Sequence, residues 1–201
     1  KTGDRILLAD KQAASVLEKA RVVSFARISD AGDLSNTSLS HPLAGMEGSD
    51  GEWDEPRDFR AAPFVTEEDG TGFVHCAPSH GMDEFELYRD AGMLEQVLTY
   101  NVMEDGAMRA DLPFFGGKRI LKPNGKEGNV NAAVIEKLAE SGKLLARGKI
   151  KHSYPHSWRS KAPLIYRNTP QWFAAIDRPV GDNQDEFGKT IRERALNSID
   201  K

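Results

Sequence analysis

The sequence predicts an α+β fold, and its pattern and composition lead to this prediction. Short β-prone segments are interspersed with three or four amphipathic helical segments, without the regular strand–helix–strand rhythm of an α/β sheet. With 39% hydrophobic and 29% charged residues, the composition is typical of globular proteins rather than disordered or fibrous ones. At 201 residues, the chain is long enough for one well-cored domain, or for one domain and a connecting arm.

The first third of the chain contains two predicted strands and one predicted helix. Residues 6–8 are an apolar run that predicts a short strand. Asp10 is expected to cap a helix whose apolar residues recur at helical spacing, at Ala13, Val16, Leu17 and Ala20. Residues 22–28 predict a second strand that ends in a turn, and the polar, glycine-rich residues 34–62 predict an irregular surface excursion.

The later elements follow the same logic. Phe64-Val65 and Phe73-Val74 flank an acidic turn, which predicts a hairpin-like pair. Two amphipathic stretches, at about 83–91 and 131–141, predict helices that each end at a glycine. The remaining predicted elements are strands at 144–145 and 149–150, an extended proline-rich stretch at 154–170, and a helix at 187–199.

Charge is segregated along the chain. Residues 141–176 contain seven lysines and arginines and no carboxylate, although the net charge of the whole chain is −4. Residues 47–69 contain nine acids and only two arginines. This pattern predicts that one face meets a polyanion while another stays solvated.

Several features bear on the compartment and on the completeness of the chain. Cys76 is the lone cysteine, so no internal disulfide framework is possible, and a reducing cytoplasm is the simplest location. No apolar run approaches the roughly 20 residues that a membrane span needs, and no signal-like stretch follows Lys1. A predicted strand begins almost at the first residue, as expected of a piece of a longer protein.

Residues 70–85, Gly-Thr-Gly-Phe-Val-His-Cys-Ala-Pro-Ser-His-Gly-Met-Asp-Glu-Phe, carry the densest set of chemically informative side chains. A glycine turn that gives a ligand access to backbone N–H groups leads into a short apolar segment that carries His75. A second turn then opens a helix with Asp83 and Glu84, whose carboxylates the helix dipole stabilises. From the pattern alone, the favoured interpretation is that His75 is a hydrogen-bonded core histidine and that the acids are ordinary first-turn residues. A metal site built from His75, His80, Asp83 and Glu84 is a further reading, although their spacing matches no strong zinc signature.

The segment closely resembles the motif Gly-Thr-Gly-x-Val-His-x-Ala-Pro-x-His-Gly-x-Asp-Asp of the editing domain of isoleucyl-tRNA synthetases. A second resemblance lies downstream, where residues 152–163 and 168–173 are similar to the family's His-Ser-Tyr-Pro-His-Cys-Trp-Arg and Thr-Pro-Gln-Trp-Phe stretches. Valyl and leucyl relatives share parts of both motifs but usually lack a histidine at the position of His75. The editing domain of such a relative is kept as an alternative.

The resemblance implies an architecture and a reaction. It implies a β-barrel-like editing core with peripheral helices over residues 1–150, incomplete at its N-terminus, and a basic, aromatic return segment with a C-terminal helix over residues 151–201. The reaction would be hydrolysis of the ester between valine and the acceptor end of the isoleucine tRNA, and it would need no cofactor and no metal. The implied partners are the acceptor end of this tRNA and the remainder of a parent synthetase, and no membrane is involved.

The resemblance also implies roles for individual residues. His75, Glu84 and Asp83 are the implied catalytic residues, with one acid gripping the substrate's ammonium group and His75 lining the pocket. The implied substrate-binding residues are Thr71, Gly72, Phe73, Val74, Ala77, Pro78 and His80. The basic and aromatic stretch is expected to contact tRNA through Lys149, Lys151, Arg159 and Lys161, since bases stack on aromatic rings while phosphates pair with cations. Trp158 and Trp172 are expected to pack against the domain.

The sequence departs from the family's pattern at several places. The family has an aspartate at the position of Glu84 and often a cysteine at that of Ser157. The family's threonine-rich pocket segment and both aminoacylation signatures are absent from the sequence, so we expect no amino-acid activation. A tRNA-binding fragment without catalysis and a metal-dependent hydrolase therefore stay open as alternatives.

Overall fold

The computed structural model describes residues 3–68, 70–149, 151, 153–179 and 189–199. The chain forms two compact units, Lys1–Asn168 and Thr169–Lys201. The described part of the first unit contains the helices α1 (Asp10–Lys19), α2 (Met82–Asp90), α3 (Leu94–Val97) and α4 (Val130–Glu140), and the strands β1 (Ser38–Leu39) and β2 (Arg57–Asp58). The described part of the second unit contains helix α5 (Ile191–Ile199). This mixture of helices with a small antiparallel sheet confirms the α+β prediction.

Helices α1, α2, α4 and α5 lie where the amphipathic patterns predict them, whereas the short helix α3 has no counterpart among the predicted elements. Helix α1 begins at Asp10 itself, with Ala9 at the capping position and no side-chain cap, so the capping role expected of Asp10 is wrong. Helices α2 and α4 each begin one residue before the predicted start and end one residue before the predicted end. Helix α5 ends at Ile199 as expected, while Phe187, its predicted first residue, lies outside the described residues.

Most predicted strands do not form. Residues 6–8, 22–28, 64–65, 73–74 and 144–145 have no strand structure, and Ile150 of the predicted 149–150 strand lies outside the described residues. In the 22–28 segment, Val23 and Ile28 are largely exposed. A β-prone segment becomes a strand only when a neighbouring strand accepts its hydrogen bonds and its side chains are covered, and neither condition is met here.

Isolated bridges and tight turns replace the missing ladders. In the first unit these bridges join Val102 to Met108, Ala107 to Arg119, Leu121 to Glu127 and His156 to Pro163. Among the described residues, the only ladder is the two-residue pairing of β1 with β2. The barrel-like core that the resemblance implies therefore stays a prediction.

The core of the first unit is formed by Leu43, Leu112 and Phe115, which are at most 5% exposed. The side chains that pack against it are Met46, Trp53, Met108, Phe114, Ala133, Val134 and Leu138. Leu43 and Trp53 belong to the segment that we expected to be a surface excursion, and that expectation is wrong for them. Successive hydrogen-bonded turns between residues 41 and 54 fold the segment tightly enough to bring its few apolar side chains to one side.

A half-buried arginine fastens this segment to the neighbouring chain. Arg109 donates from Nε to Asn101 Oδ1 at 2.8 Å, and its Nη2 pairs with the carboxylate of Glu52. The Glu52 hydrogen bond is the main reason that the pKa of Arg109 lies above its ordinary value. None of the described helices has both the length and the apolar character that a membrane crossing requires.

Candidate functional site

The glycine turn at the start of the motif docks on helix α1. Ala9 N–H donates to the carbonyl oxygen of Thr71 at 2.9 Å. Gly72 has φ of +80°, and a Cβ placed on it would lie 2.2 Å from the Cβ of Ala9. Glycine is thus required at residue 72 by its backbone conformation and by this close approach to α1, so the structure accounts for it without a ligand. Phe73 and Val74, which follow, are both exposed, and the Phe73 ring lies 5.5 Å from that of Phe59.

The second turn of the motif is fixed by hydrogen bonds to its backbone and side chains. The carbonyl oxygen of Ala77 accepts from His80 N–H at 2.9 Å and from Gly81 N–H at 3.0 Å. The buried Ser79 Oγ accepts a hydrogen bond from Thr99 N–H at 2.8 Å. His80 Nδ1 lies 2.8 Å from the carbonyl oxygen of Tyr166. A carbonyl oxygen can only accept, so His80 Nδ1 carries the proton and, in the neutral ring, Nε2 is an acceptor.

The two acids differ in their surroundings. Asp83 is exposed on the first turn of α2, whereas Glu84 is half-buried. The Glu84 carboxylate folds back towards the start of the helix, where a Cβ placed on Gly81 would lie 1.7 Å from Oε2. Burial raises the pKa of the Cys76 thiol, and the charge of Glu84 raises it further, while Arg60 opposes the shift. The Glu84 carboxylate thus lies against Gly81, and its charge acts on the Cys76 thiol.

A second histidine, His41, lies within electrostatic range of His75. The His41 ring stacks on Trp53 with centroids 4.8 Å apart, and its Nδ1 accepts a hydrogen bond from Leu43 N–H at 3.1 Å. Burial, followed by the charges of His75 and Arg57, lowers the pKa of His41. His75 itself is exposed. The sequence did not single out His41, because it lies outside the motif. No local pattern shows that the turns between residues 41 and 54 bring it within electrostatic range of His75.

Arg60 is another residue that the sequence did not indicate. Its guanidinium lies over the ring of Tyr88, 5.3 Å from the centroid, and Nη2 lies 2.8 Å from Met93 Sδ. Within the described residues, Arg60 has no ion pair with a carboxylate. Its positive charge acts on the Cys76 thiol, whose pKa it lowers.

The basic stretch contains a loop whose tip exposes the Trp158 ring and the Arg159 guanidinium. Leu164 N–H donates to the carbonyl oxygen of Pro155, and Tyr154 Oη donates to that of Leu164. At the tip, Trp158 is 76% exposed, and the Arg159 guanidinium lies 5.0 Å from its ring centroid. The expectation that Trp158 packs against the domain is therefore wrong. Trp172, in the second unit, is fully exposed.

The expected tRNA-contacting cations are accessible. Lys149, Lys151, Arg159 and Lys161 are all exposed, and none is paired with a carboxylate in the part of the chain that the structure describes. His152, which belongs to the downstream motif, lies outside that part. No group of three or more His, Cys, Asp or Glu residues among the described residues is arranged to hold a metal ion.

Comparison with known proteins gives a consistent result. No family model matches the chain. The chain is 68% identical over 201 residues to the isoleucine–tRNA ligase of Ruegeria pomeroyi. This match covers 99% of the chain and 21% of that enzyme. It is 45% identical over 208 residues to the isoleucine–tRNA ligase of Rhodopseudomonas palustris, and 45% identical over 203 residues to that of Caulobacter vibrioides. Each of these two matches covers 99% of the chain, and the chain spans about one fifth of the length of the curated relatives it matches.

Proposed function

We propose that this chain, which is related to isoleucine–tRNA ligases along 99% of its length, is the editing region of such an enzyme and hydrolyses valine from the isoleucine tRNA. The observation that carries the proposal is the motif of residues 70–85, which occurs in a chain that matches these ligases almost from end to end. The position of the Glu84 carboxylate at the start of α2, folded back over Gly81, supports it.

An editing reaction is needed for a physical reason. A pocket that accepts isoleucine cannot strongly reject valine, because one missing methylene changes the binding free energy by only about 1–3 kcal/mol, a magnitude already known from isoleucyl enzymes themselves. A second site that admits valine and excludes isoleucine supplies the remaining discrimination.

The reaction is the hydrolysis of one ester bond. The oxygen of a water molecule attacks the ester carbonyl carbon, the bond to the ribose oxygen breaks, and that oxygen takes up a proton. Glu84 holds the substrate's ammonium group, because a half-buried carboxylate gives a stronger charge-assisted contact than the exposed Asp83. His75 lines the pocket and orients the substrate or the water. The residues around Thr71, Gly72, Ala77 and His80 complete the binding surface.

The basic stretch holds the nucleic acid. Lys149, Lys151, Arg159 and Lys161 contact the phosphates of the tRNA acceptor end. In this proposal, residues 1–150 form the barrel-like editing core, and residues 151–201 form the return segment to the rest of a cytoplasmic synthetase.

The test places this chain in a complete enzyme. The corresponding segment of the Ruegeria pomeroyi ligase is replaced by the 201 residues of the chain, to which it is 68% identical. We expect the hybrid enzyme to release valine from valylated isoleucine tRNA and to leave isoleucylated tRNA intact. The matched control is the same hybrid with Glu84→Ala, Asp83→Ala and His75→Ala together.

Three outcomes decide between the proposal and its alternatives. Deacylation that is lost in the triple variant and insensitive to chelator supports editing by the proposed residues. Binding of tRNA without valine release identifies a tRNA-binding segment that lacks catalysis. Release that requires a stoichiometric metal identifies a metal-dependent hydrolase instead.

A further inference from the structure

The start of helix α2 contains a glycine whose backbone does not require glycine. Gly81 has φ of −120° and ψ of 140°, an extended conformation that any residue adopts. Its N–H is already bonded to the carbonyl oxygen of Ala77 at 3.0 Å. Glycine is favoured over alanine at an N-cap, and the space beside Gly81 gives a further reason for the missing side chain.

That space is filled by the Glu84 carboxylate. A Cβ on Gly81 would lie 1.7 Å from Oε2, 2.4 Å from Cδ and 2.9 Å from Oε1 of Glu84. Helical side chains lean towards the N-terminus of their helix, so a residue at the third helical position can reach back over the residue that precedes the helix. The three atoms nearest to this Cβ all belong to the flexible end of the Glu84 side chain, so a side chain on residue 81 would displace the carboxylate.

We infer that Gly81 is a positioning residue for Glu84. Because Gly81 has no side chain, the Glu84 carboxylate can lie over it at the start of α2, where it binds the substrate's ammonium group. The binding role of Glu84 rests on the proposed function, whereas the position of its carboxylate over Gly81 does not. A glutamate side chain is longer than an aspartate by one methylene, and folding over the glycine draws its carboxylate back towards the helix.

The lone cysteine reports the position of the carboxylate without any substrate. The charge of Glu84 raises the pKa of the Cys76 thiol, in addition to the effect of burial, and Arg60 lowers it. Because the chain has one cysteine, its thiolate can be titrated selectively through its rate of alkylation against pH.

The first experiment measures this thiol pKa in the 201-residue chain. We expect Glu84→Gln to lower it by removing the charge, and Gly81→Ala to shift it by displacing the carboxylate. In the Glu84→Gln background, Gly81→Ala should have no further effect. The matched control is Gly148→Ala, because a Cβ on Gly148 meets nothing within 4 Å. A thiol pKa that stays unchanged in Gly81→Ala or in Glu84→Gln overturns the inference.

The second experiment measures valine release in the hybrid ligase. We expect Gly81→Ala to slow it roughly 10-fold or more, as for loss of a charge-assisted contact. In the Glu84→Asp background the same change should cost less than about 3-fold, because the shorter carboxylate does not reach the new Cβ. Equal losses in both backgrounds overturn the inference. If the hybrid ligase never releases valine, the proposed function fails, and the thiol titration still decides whether Gly81 seats Glu84.

Discussion

At the residue scale, the two neighbouring acids of α2 differ in what surrounds them. Glu84 is half-buried and folded over Gly81, while Asp83 is exposed on the same turn. In the hybrid ligase, we expect Glu84→Ala to reduce valine release by roughly 10- to 150-fold, since a lost charge-assisted contact costs about 1.5–3 kcal/mol. Asp83→Ala should have a milder effect, and Glu84→Asp should retain activity. The measurement is the single-turnover rate of deacylation of valylated tRNA.

The reverse ranking would assign the ammonium contact to the other acid. If Asp83→Ala removes valine release while both Glu84 variants retain it, the clamp is Asp83. The sequence could not decide between the two acids, because adjacent residues on a helix point about 100° apart and the pattern does not fix the direction of the pocket.

His41 gives a second prediction at the same scale. Its pKa is lowered in the folded chain by burial and by the charges of His75 and Arg57. The unfolded chain therefore binds more protons at this residue as the pH falls below the ordinary histidine value of about 6.5. The stability that neutral His41 contributes is present above that value and is lost as the pH falls through the lower, folded-state pKa.

We expect the free energy of unfolding to fall less steeply between about pH 7.5 and pH 5 in His41→Asn than in the unsubstituted chain. An asparagine at residue 41 can still accept the Leu43 N–H bond but does not titrate, so the variant isolates the protonation effect. Denaturant unfolding at a series of pH values measures the difference. Parallel pH profiles for the two proteins would contradict the predicted linkage.

At the element scale, the core depends on side chains from separate segments of the chain. Leu112 packs with Leu43 and Phe115, and α4 lies against them through residues such as Val134. We expect Leu112→Ala to lower the free energy of unfolding by about 2–5 kcal/mol, because a buried side chain is lost and a cavity remains. The control is Leu145→Ala, at a position that is 48% exposed, where the change should stay within about 0.5 kcal/mol. Similar losses at the two positions would show that Leu112 is not in the core.

Elements differed in how well the sequence predicted them. The helices α1, α2 and α4 carry their apolar stripe within a single segment, so their patterns located them to within a residue or so. Strands depend on partners elsewhere in the chain, and the apolar residues 22–28 found none. In the candidate site, the motif singled out Glu84 and His75 as candidates, whereas the position of His41 depends on turns that no local pattern reveals.

At the scale of the whole molecule, charge is the feature that the sequence predicted most directly. The acid-free stretch at 141–176 leaves Lys149, Lys151, Arg159 and Lys161 without carboxylate partners in the described residues. Exposed cations that are not paired with carboxylates attract a polyanion that comes within a Debye length of about 8–10 Å. This supports a tRNA contact even though the chain as a whole has a net charge of −4.

The proposed tRNA contact predicts a particular dependence on salt. Each phosphate that a lysine neutralises releases a counterion, so the logarithm of the binding constant falls with the logarithm of the salt concentration by about 0.7–0.9 per contact. We therefore expect the double variant Lys149→Gln, Lys151→Gln to bind tRNA more weakly and to reduce this slope by about 1–2. The control is Lys19→Gln, Lys126→Gln, since each of these exposed lysines has a glutamate beside it in the sequence.

Hydrolysis of valyl-adenosine, which has no phosphate, should be the same in both variants of the hybrid ligase. An equal change of slope in the control would mean that tRNA responds to net charge alone, and a loss of valyl-adenosine hydrolysis would mean that Lys149 and Lys151 act on the pocket rather than on the nucleic acid.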